Sequence, residues 1–181
     1  MKTIYVRDIM VPLSDYATVS KDATLMEAIQ AIQRKDEDKL YFHRSVLVLD
    51  DKGEVIGKIS QIDILRSLEP NYFQIGEDLD LGRFGFSSSF MKAIRREFKL
   101  WERPVTEICR TAKTMRAADV MYTPADHQRV RESDTLDGAM HQIVLGRHQS
   151  LLVTRDKKIV GILRSTDAFN ALYDMIEEAQ C

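Results

Sequence analysis

Two stretches of the chain place a carboxylate six residues after a glycine: Gly57-Lys58-Ile59-Ser60-Gln61-Ile62-Asp63 and Gly161-Ile162-Leu163-Arg164-Ser165-Thr166-Asp167. Each Asp falls early in a predicted helix, where a negative charge complements the helix dipole or caps free N–H groups. The two glycines suit tight strand packing. The four histidines, His43, His127, His141 and His148, show none of the Cys/His spacings of a zinc site. Cys109 has no His or Cys near it in sequence, so a catalytic thiol has no support. Neither a Gly-x-Gly-x-x-Gly, a P-loop nor a Gly-x-Ser-x-Gly motif occurs. These residues point to binding and not to turnover: no catalytic residue, no metal ligand and no required cofactor is expected.

The elements that hold these residues come twice. Asp8-Ile9-Met10, followed by Pro12, returns as Asp119-Val120-Met121, followed by Pro124, at an offset of 111. The same offset carries Thr24-Leu25, Ala28 and Ile32 onto Thr135-Leu136, Ala139 and Ile143. Ser45-Val46-Leu47-Val48 answers Ser150-Leu151-Leu152-Val153, and Gly57 and Asp63 answer Gly161 and Asp167 at offset 104. An extension of the first copy, Lys35 to Phe42, explains most of the change. Leu25, Ala28, Ile29 and Ile32 form the stripe of an amphipathic helix, capped by Asp22 or Thr24. Leu136, Ala139, Met140 and Ile143 repeat it, with Thr135 or Asp134 as cap and Gly146 as stop. An apolar strand, a turn at Asp50-Asp51-Lys52-Gly53 and a return strand follow, then a helix from Ser60. In the second copy the turn is Arg155 to Lys158 and the helix runs from Ser165 toward Met175. Each copy reads strand, helix, strand, strand, helix. One such unit is marginal alone, so two are expected to pack about a pseudo-twofold axis with clefts at the seam.

The totals agree with a soluble globular chain. Its 181 residues include 26 Lys plus Arg and 28 Asp plus Glu, a formal charge of −2. That balance argues against a protein devoted to nucleic acid. No apolar run approaches the ~18 residues of a membrane span. The opening residues Met1 to Asp8 carry charge where a signal peptide needs its apolar stretch. Only Cys109 and Cys181 occur, which fits a reducing, cytoplasmic setting.

The order Asp-Ile-Met, helix, hairpin, then Gly-x-x-Ser-x-x-Asp resembles the cystathionine β-synthase (CBS) domain. The tandem is similar to a CBS pair, or Bateman module, over about residues 5–67 and 116–175. The resemblance implies an α/β (α+β) fold of two β-α-β-β-α repeats joined by a helical connector. By sequence the segments are 1–68, 69–115 and 116–181. It further implies an adenosyl ligand in the clefts: AMP, ADP, ATP or S-adenosylmethionine. In the family the Asp that ends the motif holds the ribose hydroxyls, which maps to Asp63 and Asp167. A carboxylate accepts both hydrogens of a cis-diol. The Ser or Thr of the motif serves a phosphate at the helix start. Ser60 fits that role; Arg164 departs from it, either clamping phosphate or facing solvent, with Thr166 beside it. Val11-Pro12 and Tyr122-Thr123-Pro124, which follow the two Met residues, correspond to the segments that wrap adenine. His43-Arg44 and Arg147-His148 hold matching places before the middle strands, either near a phosphate or as surface groups. Family members commonly form flat dimers, so a homodimer is expected.

The connector adds a rival reading. Gly76, Gly82 and Gly85 mark an irregular stretch, and Ser88 or Ser89 caps a predicted helix over Phe90 to Trp101. Residues 83–103 hold six basic and two acidic residues, whereas the tail from Asp167 has four acidic and no basic ones. The leading reading is a stand-alone regulatory sensor of an adenosyl ligand. The alternative is a protein-interaction or nucleic-acid-binding module acting through this basic amphipathic helix.

Overall fold

The structure is a computed structural model and describes residues 3–34, 43–75 and 87–179. The Lys35 to Phe42 extension lies outside the described residues, as do Gly76, Gly82, Gly85 and Cys181. The first half contains α1 (Val6–Ile9), β1 (Val11–Pro12), β2 (Thr18–Ser20), α2 (Leu25–Gln33), β3 (Ser45–Leu49), β4 (Val55–Ser60) and α3 (Gln61–Leu68). The connector holds α4 (Ser88–Glu97) and α5 (Val105–Thr114). The second half contains α6 (Ala117–Val120), β5 (Arg129–Arg131), α7 (Leu136–Gly146), β6 (Ser150–Arg155), β7 (Lys158–Arg164) and α8 (Ser165–Glu178).

Two small sheets result, ordered β2-β3-β4 and β1-β7-β6-β5. In each, the strand before the long helix runs parallel to the middle strand, and the hairpin partner runs antiparallel. The middle strands are apolar on both faces, and the two-residue period of a strand divides their side chains. Val46 and Val48 join a core with Leu25, Ala28 and Ile32 of α2. Leu151 and Val153 do the same with Ala139 of α7. The alternate residues, Leu47 and Leu152, meet with Ile162 of β7, Val11 and Tyr16 in a third cluster between the sheets. That cluster is the seam expected from the duplication.

The halves exchange their short leading helices. Ala117 of α6 is buried in the α2 core, and Val6 of α1 is buried in the α7 core. Leu25 N donates to Met115 O, and Ala117 and Ala118 donate to Ala23 O and Lys21 O. Leu136 N donates to Ile4 O, and Val6 and Arg7 donate to Asp134 O and Glu132 O. Every residue of the second set lies 111 positions from its counterpart in the first. The chain then crosses back: β1 pairs with β7, and Tyr122 bridges Lys58 on β4.

Local chemistry accounts for the ends of the elements. Thr24, and not Asp22, caps α2: Thr24 Oγ1 accepts from Glu27 N at 3.2 Å, and Glu27 Oε2 accepts from Thr24 N at 2.7 Å. The bonds that the Thr24 N–H and hydroxyl donate to Glu27 Oε2 hold that carboxyl below its ordinary pKa. Thr24→Ala should therefore cost about 1 kcal/mol in urea unfolding, with the m-value unchanged. Gly146 is the last residue of α7 and not its stop; Arg147 closes it in a left-handed conformation. The first hairpin turns on Asp50, whose Oδ1 accepts from Lys52 N and Glu54 N, with Gly53 at φ 77. The second turns on Asp156 and Lys157, both left-handed, as a two-residue hairpin loop requires.

The connector differs from expectation. Its predicted helix is shorter, Ser88–Glu97, and is capped by Ser87 through Phe90 N at 3.2 Å. Lys99 and Trp101 take left-handed conformations that end it. A further helix, α5, follows Pro104 and packs against α2, burying Ala112. The end of the connector is tied to the turn at Pro70–Ile75. Buried Glu69 accepts from Trp101 N at 2.6 Å, and Asn71 Nδ2 donates to Phe98 O at 3.0 Å.

Candidate functional site

The two Asp motifs lie at the ends of β4 and β7, where α3 and α8 begin. The Asp63 end is a capping box with an oxygen to spare. Ser60 Oγ accepts from Asp63 N at 3.3 Å. Asp63 Oδ2 accepts from Ser60 N at 2.8 Å and from Ser60 Oγ at 2.6 Å. Asp63 is half-buried, and among the described residues its Oδ1 makes no hydrogen bond. Ser60 sits at the first free N–H groups of α3, the place where an anion is favoured.

Tyr122 comes to this end from the other half. Its N–H donates to Lys58 O at 3.1 Å and its carbonyl accepts from Lys58 N at 3.0 Å. Thr123 Oγ1 donates to Ile56 O at 3.4 Å. Pro124 is buried, and its carbonyl accepts from Arg129 Nη2. Burial, and then the charge of Asp63, pushes the Tyr122 phenol up to about 12. The Lys58 ammonium reaches across the seam to donate to Ser150 Oγ at 2.8 Å, and lies 5.5 Å from the Tyr122 ring centroid. Burial holds Lys58 below its ordinary pKa, and Asp63 opposes that shift. The His127 and His148 rings stack at 5.4 Å. Burial lowers the His148 pKa, and the charges of His127 and Lys58 add to this.

The Asp167 end is built differently. Arg164 occupies the place of Ser60 and folds back on its own helix. Asp167 Oδ2 accepts from Arg164 N at 3.0 Å and from Arg164 Nε at 2.7 Å, while Oδ1 accepts from Arg164 Nη2. Both residues are 9% exposed. Arg164 is thus not the solvent-facing charge of one reading, because its guanidinium is buried against the carboxylate three residues on. Thr166 is exposed. Val11 is buried in the seam opposite Ile162, and Pro12 lies exposed opposite Gly161.

Tyr16 and Ser45 complete this end. Their hydroxyls are 2.8 Å apart, and the Tyr16 ring meets His43 edge-on at 4.4 Å. Burial raises the Tyr16 phenol, against the Ser45 hydrogen bond and the Arg164 charge. His43 is buried and so is not a surface group.

The tertiary structure therefore brings Tyr122 to the strand that ends at Ser60 and Asp63, with Thr123 farther back against Ile56 on the same strand. At the other end, Val11 and Pro12 pair with Ile162 and Gly161 on β7, the strand that leads into the Arg164–Asp167 pair. Each wrapping segment thus pairs with the strand that leads into the carboxylate motif of the opposite half. Lys58, Ser150, Tyr16 and Ser45 were not singled out by residue type. Lys58 had a legible signal: a charge inside the apolar run Val55 to Ile59, where the second copy has Ile162. Among the described residues no cluster of three His, Cys, Asp or Glu is arranged to hold a metal ion. No described helix is long and apolar enough to cross a membrane.

A family model for the CBS domain matches residues 6–70. Comparison with curated proteins gives no match. Several solved structures share the fold. The CBS domain of a CBS domain containing membrane protein from Sphaerobacter thermophilus is 21% identical, with 92% of this chain and 86% of that one covered at a TM-score of 0.59. CBSX2, crystallised in complex with AMP, is 20% identical, with 95% and 98% covered at 0.59. A putative acetoin utilization protein (AcuB) from Vibrio cholerae is 18% identical, with 99% and 97% covered at 0.61. Likeness at these identities extends over nearly the whole chain and concerns the fold. The CBS-domain model thus matches the first half of the chain, residues 6–70, and the whole chain has the fold of these tandem CBS-domain structures, its second half built on the same plan.

Proposed function

We propose that the protein is a non-catalytic regulatory module that binds an adenine nucleotide or related adenosyl ligand at the Asp63 end of the seam. The observation that carries this reading is the half-buried Asp63 carboxylate. One of its oxygens caps α3 with Ser60, and the other is left over, with Tyr122 near enough to feel its charge. A cis-diol needs such an acceptor. The AMP complex of CBSX2, which shares the fold, supports the ligand class. The Asp167 end, with Arg164, Thr166, Val11 and Pro12, is the lesser site, since Arg164 already takes up its carboxylate. Ligand would act as a switch by binding one arrangement of the two halves more tightly than another.

The exposed apolar side chains Ile62 and Leu65 on α3 and Phe169, Tyr173 and Ile176 on α8 support a homodimer. Cys109 stands as a free thiol, in keeping with a cytoplasmic setting. The exposed residues Phe90, Met91, Lys92, Arg95 and Arg96 make α4 the surface a protein partner would read under the alternative function.

Calorimetric titration of the full chain with AMP, ADP, ATP and S-adenosylmethionine tests the reading. At least one should bind below millimolar concentration, and Asp63→Ala should weaken it about tenfold or more, the worth of one charge-assisted hydrogen bond. If none binds, the adenosyl reading fails. If Asp63→Ala leaves affinity intact, the ligand sits elsewhere.

A further inference from the structure

Lys58 is a charged side chain in a place filled by an apolar one in the other half. Its counterpart by offset and by strand position is Ile162, which is fully buried in the seam cluster. Lys58 is 8% exposed, and its ammonium donates a single hydrogen bond, to Ser150 Oγ. Among the described residues it forms no ion pair with a carboxylate. An ammonium has three donors, so two are left over in a largely dry place. A buried charge without a counter-ion is costly.

The surroundings do not cancel that charge. His148 is close enough for the Lys58 charge to lower its pKa, and His127 stacks on it, so the neighbouring titratable rings are basic. Asp63 is the acidic group whose charge Lys58 feels. One oxygen of its carboxylate, however, is bonded to Ser60 at the N-terminus of α3, whose partial positive charge the carboxylate offsets. The locus where β4, α3 and Tyr122 meet therefore carries surplus positive charge.

We propose that Lys58 sets the charge class of the ligand: the seam site takes an anionic, phosphate-bearing adenosyl compound and discriminates against a cationic sulfonium such as S-adenosylmethionine. This rests on the adenosyl-ligand reading above. A phosphate within reach of Lys58 uses the spare donors and supplies the missing counter-charge, with the strength of a charge-assisted hydrogen bond. A sulfonium adds a second cation to a partly desolvated locus, a repulsive element of the kind that builds specificity.

The experiment compares AMP with S-adenosylmethionine by calorimetry on the full chain and on Lys58→Met, which keeps the buried stem and removes the charge. AMP should bind the unaltered protein about 10- to 100-fold more tightly than S-adenosylmethionine, and Lys58→Met should erase most of that ratio. Equal affinities in the unaltered protein, or an unchanged ratio in Lys58→Met, would overturn the proposal. The comparison on the unaltered protein decides even if the variant folds poorly. If neither compound binds at millimolar concentration, the adenosyl reading falls and inorganic pyrophosphate becomes the probe. Binding by the unaltered protein that is lost in Lys58→Met would then sustain the role of Lys58. No binding, or binding unaffected by the substitution, would end it.

Discussion

Arg164→Ala should destabilise the fold by about 3–5 kcal/mol, the usual loss when one partner of a buried ion pair is removed. Arg164 and Asp167 are each 9% exposed and bonded through three contacts, two of them from the guanidinium. Taking away the guanidinium leaves a carboxylate in a dry place with one backbone N–H for company. That loss approaches half the stability of an ordinary domain, so urea unfolding will register it clearly. Arg164→Ser should be milder. It recreates the arrangement that works at the other end, where Ser60 gives Asp63 a hydroxyl donor and accepts from its N–H. The two substitutions remove the same charge, so equal losses would show that a serine hydroxyl does not take over from the guanidinium at this end. Arg164→Ser should also free an Asp167 oxygen and bring the number of adenosyl ligands per chain toward two.

Gly161→Ala should cost about 3 kcal/mol, and Gly57→Ala about 1 kcal/mol, within the range for overpacking. The two glycines are counterparts, and each is crossed by the segment that returns from the exchanged helix. A Cβ on Gly161 would lie 2.5 Å from the carbonyl oxygen of Val11, with Met10 Sδ at 3.3 Å. The backbone of β1 cannot step aside without breaking its pairing at Val11–Ile162 and Pro12–Gly161 and lifting Val11 from the seam. A Cβ on Gly57 would meet the Met121 side chain, Sδ at 2.4 Å and Cγ at 2.8 Å. A thioether chain has rotamers to spare and moves at modest cost. Thermal or urea unfolding of the two variants side by side checks this. A Gly57 variant as damaged as the Gly161 variant would mean that Met121 is as fixed as a strand.

Much of this protein follows from local rules. The two-residue period of Val46 to Leu49 and the stripe of Leu25, Ala28 and Ile32 give strands and helices wherever they occur, because each depends on neighbours in the chain. Capping by Thr24 and Ser60 is likewise local, since both partners lie three residues apart. The duplication was legible for the same reason: identical local instructions appear twice. The helix α5 was missed because its apolar residues are few and much of their surface stays open, with Val105 78% exposed. Its position depends on packing against α2.

Long-range contacts decided the rest. Nothing in Val6 or Ala117 says which sheet each will join; the exchange appears only when strands far apart in sequence come together. Lys58 looks like a spacer until β4 faces Ser150, 92 residues away, and buries its ammonium. Arg164 and Asp167 are neighbours in any helix, yet their pairing matters because the seam removes them from water. Propensity and periodicity act within a turn or a strand, so they can be read along the chain. Desolvation depends on what the whole fold places around a group, and at Lys58 and Arg164 it comes from residues far away in the chain.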